Sequence, residues 1–325
     1  MIIDGDNALH RMMHVPAYAA METDGTAIGA ALGFLLSMRK VIDMFKPKHA
    51  TVVWDGEDSF RLKSYPAYKS NRQPKTETER VEKALRRVKF TAQKFILNRI
   101  IPLLGCRVAE MRTFEGDDII AGLAAVIMKR NEALTIVTDD IDLCQLINPK
   151  CQVYRPVAQS LVTGKELLET AGVSRACDVP WSKAIQGDKS DGISGVRGWG
   201  EVHTKAFIQA ARATLGAAGG NDIENGKPQQ LTAEMLKQLA ALGSSANHKN
   251  LHDRFQIVTD NLKLVDLAQS PIHERVTELE EIMDAPVHHD EDSAHRLMLH
   301  AGMIGGEGSR IDGFFGWVTP FRVLR

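Results

Sequence analysis

The chain is poor in the residues that build disulfide frameworks, zinc knuckles and membrane spans. Only four cysteines occur in 325 residues (Cys106, Cys144, Cys151 and Cys177), and none is in CxxC spacing. That pattern excludes a disulfide scaffold or structural zinc and reads as free thiols in a reducing cytoplasm. Long apolar runs are missing as well. The most apolar stretch, Ile28 to Met38, is too short to cross a bilayer and runs straight into Arg39-Lys40. Met1-Ile2-Ile3 is strand-like from the first residue, which leaves no room for a basic leader. The expectation is a soluble cytoplasmic protein with no membrane contact, long enough for a large core or two domains. Net charge is almost absent, at −1, but the balance conceals segregation. Between Arg61 and Arg99 there are twelve Lys or Arg against three Glu, and the carboxylates of interest lie mostly outside that window. A basic block beside an acidic one suits phosphate chemistry, whereas a basic stretch alone is usually a solvated helix face.

What the chain does have is acid in unusual places. Arg112-Thr-Phe-Glu115-Gly116-Asp117-Asp118 opens an apolar run that reads as a buried helix. One acidic residue there would cap the helix. Glu115, Asp117 and Asp118 together repel one another unless a cation sits among them, and Gly116 is a poor helix former. Three β-rich runs end similarly, in Asp4-Gly5, Asp55-Gly56 and Asp139-Asp140-Ile141-Asp142. Residues 27–45 carry a helical apolar pattern stopped by Lys46-Pro47. Strands alternating with helices predict an α/β fold with a mainly parallel sheet, whose ligands bind beyond the carboxyl ends of the strands. Convergent carboxylates without His or Cys favour Mg²⁺ or Mn²⁺, and a pair of such ions suits phosphodiester hydrolysis.

Two further stretches bear on nucleic acid. Phe60-Arg61-Leu62-Lys63-Ser64-Tyr65-Pro66-Ala67-Tyr68-Lys69-Ser70-Asn71-Arg72-Gln73-Pro74-Lys75 interleaves tyrosines with cations, a combination that stacks bases and binds phosphates or is simply a mobile basic loop. A helix is predicted over 76–99, with Arg80, Lys83, Arg86, Arg87 and Lys94 available for phosphates. Gly187-Asp188-Lys189-Ser190-Asp191 adds two carboxylates, and Gly195, Gly198 and Gly200 then form a hairpin opening a helix near Val202, where exposed amides bind anions. A dinucleotide fingerprint fails there, because the spacing is GxxGxG and no strand leads into it. Gly216–Lys227 reads as a linker, Leu231–Leu242 as a helix, Phe255–Leu267 as core, and His288–Asp292 as a solvated helix start.

Met1–Asn7, Thr51–Arg72, Phe114–Ala124, Thr135–Leu146 and Gly187–Glu201, in this order, resemble the 5′–3′ exonuclease and flap endonuclease family, which includes bacteriophage 5′ nucleases and the nuclease domain of bacterial DNA polymerase I. The resemblance implies a PIN-like sheet flanked by helices, a helical arch or clamp, and a helix–three-turn–helix element that grips duplex DNA. It divides the chain into a catalytic domain over 1–175 with the arch at about 61–99, a DNA-binding region with helical extension over 176–285, and a tail over 286–325. It implies two Mg²⁺ (or Mn²⁺) held by Asp4, Asp55, Glu115, Asp117, Asp118, Asp140, Asp142, Asp188 and Asp191. Lys69 and Arg72 would meet the scissile phosphate. Arg61, Lys63, Tyr68, Lys75, Gly195, Arg197, Gly198 and Gly200 would contact DNA, with K⁺ at the hairpin. Asp139 stands where relatives usually have Gly, and Val202 where they often have Lys. The implied protein is a monomeric stand-alone nuclease acting on 5′ ends, 5′ flaps and RNA–DNA hybrids, with a DNA polymerase or a single-strand-binding protein as partner. A PIN-type ribonuclease and a non-catalytic DNA-structure-binding protein are the rivals. The duplex-gripping hairpin argues against the first, and the full set of matched carboxylates against the second.

Overall fold

The computed structural model describes residues 1–218, 230–305, 311 and 313–325. Most of the expected linker, 219–227, lies outside the described residues. In chain order the elements are β1 (Ile2–Asp4), α1 (Gly5–Met13), α2 (Gly29–Phe45), β2 (Thr51–Trp54), α3 (Phe60–Ser64), α4 (Glu77–Ile100), β3 (Arg107–Glu110), α5 (Gly116–Lys129) and β4 (Leu134–Val137). They continue with β5 (Cys151–Arg155), β6 (Ser160–Val162), α6 (Val179–Gln186), β7 (Gly187–Asp188), β8 (Ile193–Ser194), α7 (Glu201–Ala218) and α8 (Ala233–Leu242). Next come α9 (Ala246–Asp253), α10 (Phe255–Val265), α11 (Val276–Asp284) and α12 (Glu291–His300), and a short helix at Phe314–Trp317 and a 3-10 turn at Thr319–Val323 follow. Two compact units emerge: Met1–Asp58 with Pro74–Asp139 and Glu274–Arg325, and Ser59–Gln73 with Asp140–His273. The segments expected from sequence are contiguous, whereas these units interleave. Among the described residues no helix is long and apolar enough to cross a membrane.

In the first unit β3, β2, β1 and β4 lie side by side, all parallel, with Ile2 opposite both Thr51 and Ile136. Ile2, Ile3, Val52, Val53, Trp54 and Ile136 are almost fully buried. Strands covered on both faces read as continuous apolar runs, which is why these three were legible. α2 is buried through its first seven residues, and it ends where Lys46 turns left-handed (φ 47°) and returns its N–H to Ile42. α5 is the apolar helix expected from Gly116 onward. α4 runs for 24 residues, N-capped by Thr76, whose hydroxyl accepts from Glu79 N at 3.1 Å. Its first half, including Arg80, Lys83, Arg86 and Arg87, is exposed, and only Gln93, Leu97 and Ile100 are buried. The C-terminal segment packs into the same unit: Phe321 and Trp317 are buried, Arg325 N donates to Lys48 O at 2.8 Å, and His289 Nε2 lies 3.1 Å from Leu324 O. The His288–Asp292 stretch is a helix start, with Asp290 accepting from Ser293 N at 2.9 Å.

The second unit is mostly helical around an antiparallel β5–β6 pair. α10 packs along α6, and Asn261 from α10 donates to Ala184 O at 2.8 Å. A buried pair between Arg212 of α7 and Asp178 ties α7 to the start of α6. Between α6 and α7 the chain makes a two-residue antiparallel ladder, β7 with β8, and then the glycine turn. A short strand does therefore lead into the turn, contrary to the sequence reading. It pairs with the strand just before it and lacks the parallel βαβ setting of a dinucleotide site.

Candidate active site

In the first unit the carboxylates gather at the carboxyl ends of β1 and β2. Asp4 closes β1 and N-caps α1, accepting from Asn7 N at 3.1 Å and from the Thr138 hydroxyl at 2.7 Å. Asp55 follows β2, and its Oδ1 accepts from Gly116 N at 2.6 Å. A Cβ on Gly116 would stand 2.9 Å from that oxygen. Gly116 is thus what allows the start of α5 to close onto Asp55, an advantage that outweighs its poor helix propensity. Asp118 is wholly buried, and its Oδ2 accepts from the amide of Glu115, the N-cap residue, at 3.2 Å. Asp118 therefore holds the helix start, as a cap does, while Glu115 and Asp117 stay half-exposed beside it.

Sequence reasoning passed over Asp6. Its Oδ2 accepts from the Asp55 amide at 2.7 Å. Burial, then the charges of Asp55 and Asp4, push its carboxyl up to about 8, against the pull of the Asp55 amide and Lys94. Lys94 is no surface phosphate contact. It pairs with Glu110 at 3.0 Å and lies over the Trp54 ring at 5.4 Å. Asp139 has a partner too: it pairs with Arg11 of α1, and its amide donates to Asn7 Oδ1 at 3.3 Å.

The second unit holds the other carboxylates. Asp140 Oδ1 accepts from Asp142 N at 2.8 Å. Lys183 of α6, also missed in the sequence, bridges Asp142 and Asp188, the latter at 2.7 Å. The two partners respond oppositely. Asp142 is pushed up to about 6 by burial and by the charge of Asp140, in spite of Lys183. Burial opposes ionisation of Asp188 too, but Lys183 and the Ser190 hydroxyl and amide hold it at about 2. The ammonium of Lys183 is in turn raised, since Asp142 and Asp188 outweigh its burial.

Asp191 organises the 68–72 segment. Its carboxylate accepts from Tyr68 OH at 3.1 Å and pairs with Arg72, and its carbonyl accepts from Lys69 N at 2.7 Å. Lys69 is held left-handed (φ 54°), with its ammonium 4.8 Å from the Tyr68 ring centre. A lysine in that region is uncommon and marks a position fixed by its surroundings. Arg72 also donates to Ser190 O at 3.0 Å and remains half-exposed.

Two expected DNA contacts are corrected here. Arg61 is buried and donates from Nε to Leu264 O at 2.9 Å, so it fastens α3 to α10. Tyr68 is buried with its hydroxyl on Asp191, which removes it as a base-stacking platform. Lys63, Lys75 and Arg197 are exposed, as are Gly198 and Gly200, and Gly195 is half-exposed. The turn carbonyls meet side-chain amides: Ser194 O accepts from Asn261 at 2.9 Å, Arg197 O from Asn250 at 2.6 Å and Gly198 O from Asn247 at 3.4 Å.

Among the described residues no group of three or more His, Cys, Asp or Glu side chains is placed to hold a metal ion. The donor chemistry nevertheless fits a hard divalent ion. All the donors are carboxylates, and in the first unit burial, then the charges of Asp55 and Asp4, raise the Asp6 carboxyl.

Comparison with known proteins gives this geometry a lineage. Residues 1–175 match the family described as 5′-3′ exonuclease, N-terminal resolvase-like domain. Flap endonuclease Xni of Shewanella loihica is 27% identical over 256 residues, covering 74% of this chain and 90% of that protein. The thermostable DNA polymerase I of Thermus thermophilus is 31% identical over 203 residues, and that of Thermus filiformis 28% over 313. The chain spans only 22% and 34% of those two polymerases. Among solved structures, the bacteriophage T5 5′-exonuclease with divalent metal ions (zinc) bound has a TM-score of 0.66 at 21% identity, covering 93% of this chain and 97% of that one. The T5 flap endonuclease in a pseudo-enzyme-product complex with DNA and metal ions has a TM-score of 0.61 at 21% identity, with the same coverage. That likeness establishes the PIN-like α/β fold. With more than half of its length inside the family match and its strand-end carboxylates in place, the chain belongs to the 5′–3′ exonuclease family.

Proposed function

We propose that this chain is a divalent-metal-dependent 5′ nuclease that hydrolyses phosphodiesters in DNA with 5′ ends or 5′ flaps, and in RNA–DNA hybrids, leaving 5′-phosphates. The observation that carries the reading is the convergence of Asp4, Asp6 and Asp55 at the ends of two adjacent parallel strands, where the Asp6 carboxylate accepts from the Asp55 amide at 2.7 Å and where burial, then the charges of Asp55 and Asp4, raise the Asp6 carboxyl. Repulsion of that kind is relieved by a cation. Asp4, Asp6, Asp55, Glu115 and Asp117 would hold one Mg²⁺ or Mn²⁺, with Asp118 orienting Glu115. Asp140, Asp142, Asp188 and Asp191 would hold the second. When bound, the ions supply Lewis-acid polarisation of the scissile phosphate and water acidic enough to attack at neutral pH.

The chain's own residues bind and aim the substrate. Lys69, locked by its backbone bond to Asp191, and Arg72, braced on Ser190, present fixed cations to the scissile phosphate. The amides of the Gly195–Gly200 turn and the start of α7 take a phosphate further along the duplex. Lys63, Lys75 and Arg197 add screened charge that favours encounter. The 1–175 segment would form the catalytic domain and the hairpin region a duplex-binding element, with the nuclease working as a monomer beside a DNA polymerase or a single-strand-binding protein. The names of the Xni and polymerase I relatives support a role in DNA metabolism.

The test is incubation of end-labelled 5′-flap, nicked and blunt duplexes with Mg²⁺, Mn²⁺ or EDTA, with products sized on a gel. Cleavage from the 5′ side that EDTA abolishes and Mg²⁺ restores is the expected result. Full cleavage in EDTA would refute it, binding without cleavage in Mg²⁺ would indicate a DNA-structure-binding protein, and preference for single-stranded RNA would indicate a ribonuclease.

A further inference from the structure

The glycine turn between β8 and α7 is held by asparagines. Asn247 and Asn250 lie three residues apart on α9 and so face the same way. Asn250 Nδ2 donates to Arg197 O at 2.6 Å and Asn247 Nδ2 to Gly198 O at 3.4 Å. From α10, the buried Asn261 divides its amide between Ala184 O at 2.8 Å and Ser194 O at 2.9 Å. Trp199 completes the latch. Its indole donates to Asn247 O at 2.9 Å while its ring packs edge-on against Phe207 and His248. Gly198 is left-handed (φ 89°), and a Cβ there would come within 2.6 Å of Asn247 Oδ1, so the turn and α9 fit only with glycine at this position.

A monovalent cation in a backbone turn is held by carbonyl oxygens that converge on it and replace its hydration shell. In this turn three carbonyls within five residues already receive amide hydrogens from two different helices. Each donor brings partial positive charge to the oxygen that a cation would need. A carbonyl has a second lone pair, so one donor does not exhaust it. Donors on Ser194, Arg197 and Gly198 together nonetheless do the neutralising and bracing that an ion would do. With three of its carbonyls already drawn to amides on α9 and α10, the turn is a poor fit for K⁺.

We propose that Asn247 and Asn250, with Asn261 beneath them, replace the monovalent cation as the brace of this hairpin, so that its grip on a DNA phosphate is independent of K⁺. The proposal rests on the DNA-binding reading above. It makes the two asparagines positioning residues, which set the turn without touching DNA.

The test measures binding of a fluorescent 5′-flap duplex by anisotropy in EDTA, at one ionic strength, in KCl, NaCl and N-methyl-D-glucamine chloride. Melting of the DNA-free protein is followed in the same three salts. The expected dissociation constants agree within about twofold, and the melting temperatures coincide, because screening is equal and no ion is specifically held. The double variant Asn247→Ala, Asn250→Ala should bind about tenfold more weakly in N-methyl-D-glucamine, losing two hydrogen bonds, and recover in KCl as the freed carbonyls take the ion. If that variant fails to fold, Asn250→Asp preserves size, removes the donor and adds negative charge, and should create a K⁺ requirement. A K⁺-specific rise in wild-type affinity or melting temperature would overturn the proposal, as would variants equally unaffected in all three salts. Absence of DNA binding in every salt would instead defeat the functional reading, and the melting comparison would still decide the role of the asparagines.

Discussion

Asp6→Asn offers a direct probe of the carboxylate cluster. Burial and the charges of Asp55 and Asp4 raise the Asp6 carboxyl from 3.8 to about 8 in the folded, metal-free protein. Between those values the folded chain keeps a proton that the unfolded chain has lost. Stability is therefore fully present below the unfolded value and falls as pH rises through the folded one. One proton corresponds to about 1.4 kcal/mol per pH unit, so several kcal/mol should be lost between about pH 4 and pH 8. Asn is neutral throughout, and its carbonyl oxygen can still accept from the Asp55 amide, the bond Asp6 makes at 2.7 Å. In EDTA the variant should match wild type near pH 4 and exceed it progressively toward pH 8. Asp142, raised to about 6, adds a slope of the same sign, but both proteins carry it, so the difference isolates Asp6. Urea unfolding at pH 5, 6.5 and 8, with the m-value checked at each, measures the gap. Mg²⁺ should stabilise wild type more at pH 8 than at pH 6 and leave the variant less responsive. Parallel stability curves for the two proteins would refute the reasoning.

Lys183→Met leaves Asp142 and Asp188 facing each other without their shared ammonium; it should cost the metal-free protein about 2 kcal/mol, reduced from the fully buried case by partial exposure, with Mg²⁺ restoring part of it in a thermal-shift assay. No destabilisation in EDTA would mean the bridge is idle. Lys69→Met should slow single-turnover cleavage by roughly 10²- to 10³-fold while DNA affinity in EDTA changes little, since one phosphate contact among many adds little to binding; equal losses in rate and affinity would make Lys69 a steering residue only. Phe321→Ala should destabilise the chain by about 3–5 kcal/mol, because the side chain is fully buried in the first unit; a loss under about 1 kcal/mol by denaturant titration would show that the C-terminal segment is not part of that core.

The parts of this fold that could be read from sequence are those whose signal is local. β1, β2 and β4 announce themselves as apolar runs leading into Asp, and α5 by acid followed by an apolar stretch, whereas β3, Arg-Val-Ala-Glu, carries no such signal. Lys46-Pro47 stops α2 where expected. What escaped was decided by partners far away in the chain. Arg61 looks like surface charge until Leu264, 203 residues on, receives its guanidinium. Tyr68 looks like a stacking platform until its hydroxyl meets Asp191. Lys183 reads as the polar face of a short helix, and only the folding of 142 and 188 around it reveals a bridge. Asp6 was hidden differently. It sits in the first turn of α1, where acid is ordinary, and its perturbation comes from burial and then from Asp55, just past the neighbouring strand. A second acid two positions after a strand-end Asp was the available signal.

Asp6 and Lys183 show two separate ways of keeping crowded carboxylates folded before a metal arrives. The first unit favours a stored proton: burial, then the charges of Asp55 and Asp4, push the Asp6 carboxyl up to about 8. The second unit stores a cation of its own, the ammonium of Lys183 between Asp142 and Asp188. A divalent ion entering the first group must displace a proton, and its affinity should rise with pH up to about 8. An ion entering the second must displace or share with Lys183, whose ammonium does not titrate in that range, so proton release there is confined to Asp142 below about pH 6. Titrating Mg²⁺ calorimetrically at pH 7 in two buffers of different ionisation enthalpy separates the two. Close to one proton released by wild type and almost none by Asp6→Asn is the outcome this division of labour requires. Equal release from both proteins would place the stored proton elsewhere.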